Sequence, residues 1–347
     1  MSWERSEFVF ELLTCRWAER EWPPGGRLPE ERGVLVSRQL GTKRRRWDTI
    51  VIEVDREAFS QRERFGPKRL TSDLLHVVRN APEDWSWYRD ALPKPDYPWR
   101  YVREAVHEAS ERGILETRRN GNRIEIRRKW AYPDWVRSIA AIENKPDLDA
   151  SAARALAAQV ERDVALALAD EVWVATARTG EEVEPALFES LPVEVGILTM
   201  KFEEAEPARV EWHPRKLAVS KPGTEIGERP SPSEFDRSAT EFEYVSSAEK
   251  AGRRLEIAER AYERGWRRYR ETMRPDCRHF ALREEAGALL PWCAAKGRHP
   301  SARECSGSCP EFSPEPPAWR TRGWPIEGGP GKGIRDLLDR RRERYRP

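Results

Sequence analysis

The sequence predicts an α/β protein in which a mixed sheet is flanked by helices. Two kinds of hydrophobic pattern alternate along the 347 residues. Segments such as WDTIVIEV and EVWVATA are short apolar runs typical of buried strands, whereas ASAARALAAQVERDVALALAD has the length and period of a helix. Because that helix lies between the strand-like runs WVRSIAAIENK and EVWVATA with short links, we expect a right-handed crossover and a mixed or parallel sheet.

The composition limits the class of protein. Of all residues, 38% are hydrophobic and 35% are charged, and 62 Lys and Arg against 60 Asp and Glu leave a net charge of +2. No apolar run approaches the ~20 residues of a membrane span, and the N-terminus lacks the pattern of a secretory signal. We therefore expect a cytoplasmic protein of two or three domains that does not associate with membranes.

The first predicted elements are a helix and a strand. Residues 2–22 place apolar side chains on a helical period, Ser6 can cap the helix, and a Pro-Pro-Gly-Gly run ends it. After a polar stretch, residues 44–55 have the β-branched composition of a strand. These two elements begin the predicted sheet domain.

Residues 67–130 have the pattern of an independent unit. Three helical segments, TSDLLHVVRNA, DWSWYRDAL and YPWRYVREAVHEASERG, are separated by breaks that contain proline. Two alternating segments then flank Asn120-Gly121, a strong hairpin signal. Three helices followed by a hairpin are the order of a winged helix, so we predict a winged-helix-like domain here.

This unit is locally basic. Its predicted nucleic-acid-binding side chains are Arg100, Arg103, Arg118, Arg119, Arg123 and Arg127. A basic helix and wing on a nearly neutral chain indicate contacts with the phosphates of DNA. A solvated face and a winged helix that binds protein have the same composition, and both alternatives stay open.

The strand and helix pattern then resumes. The sequence predicts strands at 135–145, 171–177 and 193–200, with the long helix at 150–170 between the first two. The chain beyond is polar and rich in Pro and Ser, apart from a strand-like segment near ARVEWHPRKLAV, until a charged helical segment at 247–273.

Side chains suited to metal and phosphate chemistry occur at the ends of two predicted strands. Asp48 begins one strand, and Glu143 and Lys145 alternate at the end of another, so these two project from one face. If strand pairing brings Asp48 beside them, two carboxylates would hold Mg²⁺ or Mn²⁺ through oxygen ligands. Such a metal polarises a phosphodiester and lowers the pKa of an attacking water, while the lysine offsets developing charge.

This ordered set resembles the PD-(D/E)XK nuclease superfamily. The restriction-endonuclease-like core of that superfamily has an acidic helix, a strand with Asp, a strand with Glu-x-Lys and a helix that often bears Gln. The resemblance implies catalytic positions at Glu11, Asp48, Glu143, Lys145 and Gln159. In these positions Asp48 and Glu143 would be the metal ligands, Lys145 the catalytic lysine, and Glu11 an accessory carboxylate with Glu7 as its alternate.

The resemblance has two departures. Asp48 follows Trp47 where the motif has proline, and the link from Asp48 to Glu143 is much longer than the usual short hairpin. The long link looks like a domain insertion. The predicted division is a nuclease core at 1–60 and 134–202, an inserted winged-helix-like domain at 67–130, a polar linker at 203–246, a helix and cysteine segment at 247–312, and a disordered basic tail at 313–347.

The whole arrangement also resembles an uncharacterised family with a domain of unknown function, found mainly in haloarchaea. The resemblances imply a metal-dependent endo- or exodeoxyribonuclease that acts on DNA in repair, recombination or defence. A homodimer or a protein partner in such a pathway is left open. The alternatives are a non-catalytic winged-helix DNA-binding or regulatory protein with a degenerate nuclease-like core, and an interaction scaffold without DNA affinity.

Four of the five cysteines fall in one C-terminal stretch. Cys277, Cys293, Cys305 and Cys309 have the spacing C-x15-C-x11-C-x3-C. In a reducing compartment such a cluster binds metal more often than it forms disulfides, and four thiolates suit Zn²⁺ or a 4Fe–4S cluster. Some nucleases of the superfamily hold an iron–sulfur cluster with one cysteine near the first helix, so the alternative set is Cys15, Cys293, Cys305 and Cys309.

Overall fold

The computed structural model describes residues 6–178, 189, 191–227, 241–269, 273–274 and 276–314. A six-stranded mixed sheet lies at its centre. The strands are β1 Arg32–Gly41, β2 Arg46–Asp55, β6 Val136–Asn144, β7 Glu171–Ala177, β8 Gly196–Met200 and β9 Ala208–Trp212. They lie in the order β1-β2-β6-β7-β8-β9, and only β6-β7 and β7-β8 are parallel pairs. The predicted mixed sheet is therefore present.

The first helix, α1, spans Glu7–Glu21 and begins at the predicted cap. The Ser6 hydroxyl accepts a hydrogen bond from the Val9 amide at 3.4 Å. This bond satisfies one of the amides that the start of a helix leaves without a backbone partner. The helix ends before Pro23, as the sequence predicts.

Helices cover both faces of the sheet. On β2, Val51 belongs to the hydrophobic core that includes α1, whereas Ile50 and Ile52 belong to a second core. That second core includes α6, which spans Ala150–Leu166, and α7, which spans Ser247–Arg264. Alternate residues of a strand point to opposite faces, so the sheet is the middle layer of three.

The strand β1 was not predicted from the sequence. Ser37, Arg38 and Gln39 interrupt its apolar pattern, yet it pairs with β2 along nearly its whole length to form a hairpin. At the end of this hairpin a Cβ on Gly41 would overlap the carbonyl oxygen of Arg45, so glycine is required there. The short helix that follows β2, α2 (Arg56–Glu63), was also missed.

Between β2 and β6 the chain forms a separate body, which we call the inserted unit. Its elements are α3 Ser72–Asn80, β3 Ser86–Trp87, α4 Tyr88–Ala91, α5 Trp99–Glu111, β4 Leu115–Asn120 and β5 Arg123–Arg128. The three strands lie in the order β3-β5-β4 and enclose a hydrophobic core of their own with the helices. The hairpin turns at the predicted place, where Gly121 has a φ of 59°.

One predicted helix of the inserted unit is wrong. The segment DWSWYRDAL forms the two-residue strand β3 followed by the four-residue helix α4. Ser86 pairs with Ile126 of β5, and Trp85 and Trp87 on either side of it are half-buried. Pairing with β5 therefore overrides the helical pattern at the start of this segment.

Residues 203–246 are more than a polar linker. They supply β9 to the main sheet, and β10 (Gly223–Ile226) pairs with β11 (Phe242–Val245). These strands are only four or five residues long and partly exposed, so their sequences lack a clear apolar pattern. Residues 228–240 lie outside the described part of the chain.

The C-terminal region begins with α7, which ends at Arg264 because Gly265 follows with a φ of 60°. A hairpin of β12 (Phe280–Glu285) and β13 (Ala288–Cys293) then carries the start of the cysteine segment. Residues 315–347, which hold most of the predicted disordered tail, are outside the described residues. Within the described residues no helix has the length and apolar content needed to cross a membrane.

Candidate active site

The pairing of β2 with β6 brings Asp48 next to Glu143. Thr49 pairs with Ile142, so the next residues outward on the two strands are Asp48 and Glu143. The backbone amide of Asn144 donates a hydrogen bond to Asp48 Oδ2 at 3.0 Å. Burial, followed by the charge of Asp48, raises the pKa of Glu143 to about 8. The two predicted metal ligands therefore lie within electrostatic reach of one another.

The helix α1 adds a third carboxylate. Glu11 is buried, and Arg38 donates to both of its oxygens, from Nε at 3.0 Å and from Nη2 at 2.8 Å. Gln39 Nε2 donates to Glu11 Oε1 at 2.9 Å and to Asp48 Oδ1 at 3.0 Å. Burial raises the pKa of Glu11 although Arg38 opposes the shift. One amide thus joins the helix carboxylate to the strand carboxylate.

The backbone of Gln39 is strained. Its φ is 53°, in the left-handed region that residues other than glycine rarely adopt. Such a conformation costs on the order of 1–3 kcal/mol, and it persists where surrounding contacts fix it. Here the contacts are the two hydrogen bonds from its side chain to Glu11 and Asp48.

The helix α6 closes the site from the opposite face. Gln159 Nε2 donates to Glu143 Oε2 at 2.9 Å. Four residues later, Asp163 accepts from Arg45 Nε at 3.0 Å and from Arg45 Nη2 at 2.8 Å. Arg45 Nη2 also donates to Glu143 Oε1 at 2.5 Å. Arg45 therefore links a strand carboxylate to a helix carboxylate.

We call Glu11, Asp48, Glu143 and Asp163 the carboxylate cluster. Sequence reasoning missed Asp163 and the side chains that hold the cluster, which are Arg38, Gln39 and Arg45. The signal for Asp163 was its spacing of four residues from Gln159, which puts both on one helix face. Burial raises the pKa of Asp163, while Arg45 opposes that shift.

Lys145 lies at the edge of the carboxylate cluster. Its Nζ donates to Glu7 Oε1 at 3.0 Å, and the side chain is half-buried. Burial alone would lower the pKa of Lys145, but the bond to Glu7 and the charges of Asp48 and Glu143 raise it. The lysine is therefore held protonated beside the cluster, and Glu7 contacts it rather than the carboxylates.

The residue types of the cluster fit a hard divalent cation. Carboxylate oxygens are the ligands that Mg²⁺ and Mn²⁺ prefer, and burial disfavours the charged forms of Glu11 and Glu143, a penalty that a cation would offset. Across the described ranges, no three His, Cys, Asp or Glu side chains already stand in the arrangement of metal ligands. In the structure, Arg38 and Arg45 supply the positive charge that compensates the carboxylates of Glu11 and Glu143.

The predicted DNA-binding arginines lie on the inserted unit, and several stack on aromatic rings. Arg118 and Arg127 lie on the ring of Trp85, with centroid distances of 4.5 and 4.9 Å. Arg123 lies 4.7 Å from the ring of Trp87. The sequence pointed to these arginines as DNA-binding residues, but it did not predict that tryptophan rings lie beneath them.

The six predicted DNA-binding arginines differ in their other partners. Arg118 and Arg127 also form ion pairs with Glu125 and Glu116, which reduces their net charge. Arg100 stacks on the neighbouring Tyr101. Arg103 and Arg119 are exposed, on α5 and on the hairpin.

The structure brings the four C-terminal cysteines together and leaves Cys15 elsewhere. The four that line one small cavity are Cys277, Cys293, Cys305 and Cys309. None of the five is in a disulfide. Cys15 is buried on α1 with its Sγ 3.3 Å from Thr49 Oγ1, close to the carboxylate cluster and not in that cavity.

The comparison with known proteins identifies a family without a described activity. No curated protein and no solved structure matches the chain. The model of one protein family matches residues 35–314, which include the carboxylates of β2, β6 and α6, the inserted unit and all four C-terminal cysteines. The chain belongs to this family, the family of unknown function DUF5787.

Proposed function

We propose that the protein is a metal-dependent nuclease of the PD-(D/E)XK type that cleaves DNA. The observation that carries the proposal is the convergence of predicted catalytic side chains from four elements far apart in sequence. These are Glu11 on α1, Asp48 on β2, Glu143 with Lys145 at the end of β6, and Gln159 on α6. The sequence predicted these residues only from their order along the chain, so their meeting at one site is an independent observation that supports the proposal.

The topology around the cluster supports the same proposal. The acidic helix packs on one face of the sheet, the strands with Asp48 and Glu143 are neighbours, and the helix with Gln159 joins β6 to the parallel strand β7. This is the order that the resemblance implies. The additional residues 67–130 leave β2 and return at β6 without separating the two strands.

The chain's own residues can be given roles from their contacts. Asp48 and Glu143 would hold Mg²⁺ or Mn²⁺, with Glu11 as the accessory carboxylate. When bound, the metal would polarise the phosphodiester and make an attacking water more acidic. Lys145, held protonated by Glu7, would offset the negative charge that develops on the phosphate.

The contacts of Arg45 determine whether Glu143 is free to bind such a metal. It donates to Glu143 through Nη2 alone, but it holds Asp163 through both Nε and Nη2. The guanidinium could therefore release Glu143 to a metal and keep its contact with Asp163. In the absence of metal, the same guanidinium keeps the buried Glu143 from being an unpaired charge.

The inserted unit would deliver DNA to this site. Its element order and its sheet order β3-β5-β4 support a winged-helix-like domain, in which the β4–β5 hairpin would be the wing. Exposed Arg103 and Arg119, together with Arg123, would neutralise backbone phosphates. The unit is joined to the ends of β2 and β6 that lie away from Asp48 and Glu143, but residues 69–72 at its start line one cavity with residues 41–44 of the turn that precedes Asp48. A duplex bound to the unit would therefore extend past this turn to reach the site.

The test is cleavage of plasmid, branched and single-stranded DNA by the purified full chain with Mg²⁺ or Mn²⁺. We expect cleavage that Asp48→Asn, Glu143→Gln and Lys145→Ala each reduce by at least about a hundredfold, since each removes a group that acts on the transition state. DNA binding should survive in all three. Glu57→Gln, which removes an exposed carboxylate on α2, is the matched control and should cleave normally. Undiminished cleavage in all three site variants would overturn the assignment.

A non-catalytic DNA-binding or regulatory protein is the second candidate. One observation favours it: Arg38 and Arg45 already compensate the buried carboxylates, so the fold does not need a metal to satisfy them. This candidate predicts salt-dependent DNA binding without cleavage under any divalent metal. A gel shift at two salt concentrations separates both candidates from a scaffold that does not bind DNA.

A further inference from the structure

The C-terminal cysteines form a site that the proposed nuclease reaction does not use. Cys277 precedes the β12–β13 hairpin and Cys293 ends it, whereas Cys305 and Cys309 lie in the turns that follow. All four line one cavity, although they come from a stretch of more than thirty residues. Three of the four are buried and Cys309 is half-buried.

Tight turns present these cysteines to the cavity. The Cys293 amide donates to the Arg298 carbonyl at 3.0 Å, across a turn in which Gly297 has a φ of 62°. The Cys305 amide donates to the Ser301 carbonyl at 3.1 Å, and the Cys309 amide to the Ser306 carbonyl at 3.2 Å. Short turns of this kind are the backbone arrangement that closed metal sites use to aim thiolates inward.

Backbone amides also point at two of the sulfur atoms. The Arg274 amide donates to Cys305 Sγ and the Ser313 amide to Cys277 Sγ, each at 3.5 Å. Hydrogen bonds to sulfur stabilise the thiolate form, which is the form that binds metal. The charged side chains that line the same cavity balance one another, since Arg274 and Lys296 are matched by Glu304 and Glu311.

Two other side chains that could bind a metal here, those of Cys15 and His299, are engaged elsewhere. Cys15 lies against Thr49 on α1 and does not line the cavity. Both ring nitrogens of His299 are engaged, Nδ1 with the Pro291 carbonyl at 2.6 Å and Nε2 with Glu285 at 3.2 Å. Glu304 and Glu311 also line the cavity, but Glu304 is held by Arg298 and by the Ser301 backbone amide. Four thiols in one cavity are the ligand set that suits a closed Zn²⁺ site.

The cavity between the cysteines is small, which favours one of the two kinds of metal centre. Its volume is about 20 Å³, which is space for about one water-sized sphere. A single ion needs less room than a cluster of four irons and four sulfides, so a cavity of this size favours the single ion. The thiols do not yet stand at ligand geometry, so an ion would draw the turns that carry them inward.

We propose that Cys277, Cys293, Cys305 and Cys309 bind one Zn²⁺ ion as a closed, tetrahedral, structural site. The four thiols would lose their protons on binding, and no position would stay open for a substrate. The site would stabilise a region with little regular structure, because only the short β12–β13 hairpin orders residues 276–314.

The zinc site would also support the helix that carries Glu11. Cys277, Cys305, Phe280 and Leu290 belong to the same hydrophobic core as the buried residues of α1. A Cβ at Gly287, in the turn between β12 and β13, would meet Arg16 Nη2 of α1 at 2.5 Å. Closing the cysteine segment would therefore fix the surface on which α1 packs.

The test is elemental analysis of the full chain purified without added metal. We expect about one zinc per chain, and none in the double variant with Cys305→Ser and Cys309→Ser. Cys15→Ala is the matched control and should keep its zinc. Iron with acid-labile sulfide in place of zinc, or full zinc content in the double variant, would overturn the proposal.

A second measurement does not depend on whether the double variant folds. Zinc release from the unmodified chain is followed with a chelating dye while a mercurial reagent titrates the thiols. We expect release to be complete when about four thiols have reacted, and Co²⁺ exchanged into the chain should give the absorption of tetrahedral thiolate ligation. A chain that contains no zinc and gives no thiolate absorption with Co²⁺ contradicts the site.

Discussion

The carboxylate cluster and the inserted unit both contain arginines, but they use them in opposite ways. In the cluster, the side chains of Arg38 and Arg45 are 12% and 15% exposed, and their partners Glu11 and Glu143 are 8% and 3% exposed. On the inserted unit, Arg118 is 51% exposed and lies on Trp85. Buried arginines fix carboxylates in place, whereas exposed arginines resting on rings stay available to an external anion.

The difference follows from the cost of burying charge. A buried ion pair gives little net stability, but loss of one partner leaves an uncompensated charge away from water. An exposed pair is screened by solvent and contributes little either way. The cluster is therefore rigid and sensitive to change, while the surface of the inserted unit can exchange its intramolecular partners for phosphates.

The largest expected effect is the loss of Arg45. In Arg45→Ala, the buried Glu143 and Asp163 lose their shared cation, so the free energy of unfolding should fall by about 3–5 kcal/mol. Urea denaturation in the presence of a chelator measures the change. Mg²⁺ should restore more stability to this variant than to the unmodified chain, because it replaces the missing charge.

Arg118→Ala is the matched control on the inserted unit. Its pair with Glu125 is solvent-exposed, so the unfolding midpoint should change little. If Arg45→Ala is as stable as Arg118→Ala, the contrast between the buried and exposed arginines is wrong.

A second effect concerns pH. The folded-state pKa of Glu143 is about 8 against an ordinary value of 4.5, so its contribution to stability is complete below pH 4.5 and is lost as pH rises towards 8. Glu143→Gln lacks this dependence. The unmodified chain should therefore lose stability relative to Glu143→Gln across this window, by up to about 1.4 kcal/mol per pH unit.

Thermal unfolding of both proteins at several pH values, in chelator, measures this difference. The hydrogen bonds that Glu143→Gln loses add the same amount to the difference in stability at every pH, so only the change of the difference with pH is informative. A difference that does not change with pH would show that Glu143 does not titrate in the folded protein between 4.5 and 8.

The smallest expected effects are on DNA binding. The logarithm of the DNA-binding constant falls with the logarithm of the salt concentration. Arg119→Ala and Arg123→Ala should each make this negative slope less steep by about 0.9, the value for one phosphate contact. Arg127→Ala should have less effect, because Arg127 is already paired with Glu116. Fluorescence anisotropy with a labelled duplex at several salt concentrations measures the slopes. Equal slopes for all four proteins would remove the inserted unit from the DNA-binding surface.

The sequence predicted the parts of the fold that local patterns determine. β2, β6, α6 and β7 are long and apolar, and the Asn120-Gly121 turn has a specific backbone requirement, so each was found close to its true bounds. The ends of β2 and β6 also located Asp48 and Glu143. Short or polar strands such as β1 and β10 were missed because only pairing with a neighbouring strand defines them.

The residues that hold the site could not be found in the same way. Arg38 is 27 positions from Glu11, and Arg45 is 118 positions from Asp163, so their pairing arises only from the tertiary fold. The left-handed backbone of Gln39 is equally invisible, since glutamine has no preference for it. Pattern analysis locates acidic residues at strand ends, but the fold determines which cations meet them.

The most direct test of the account is calorimetric titration of Mn²⁺ into the full chain at pH 8. We predict binding that is lost in Asp48→Asn and retained in Glu57→Gln, with a heat that includes release of the Glu143 proton. This result would mean that Mn²⁺ binds at Asp48 and that Glu143 ionises when the metal is bound. Equal Mn²⁺ binding by the unmodified chain and Asp48→Asn, or no binding by either, would contradict a metal-dependent active site at the carboxylate cluster.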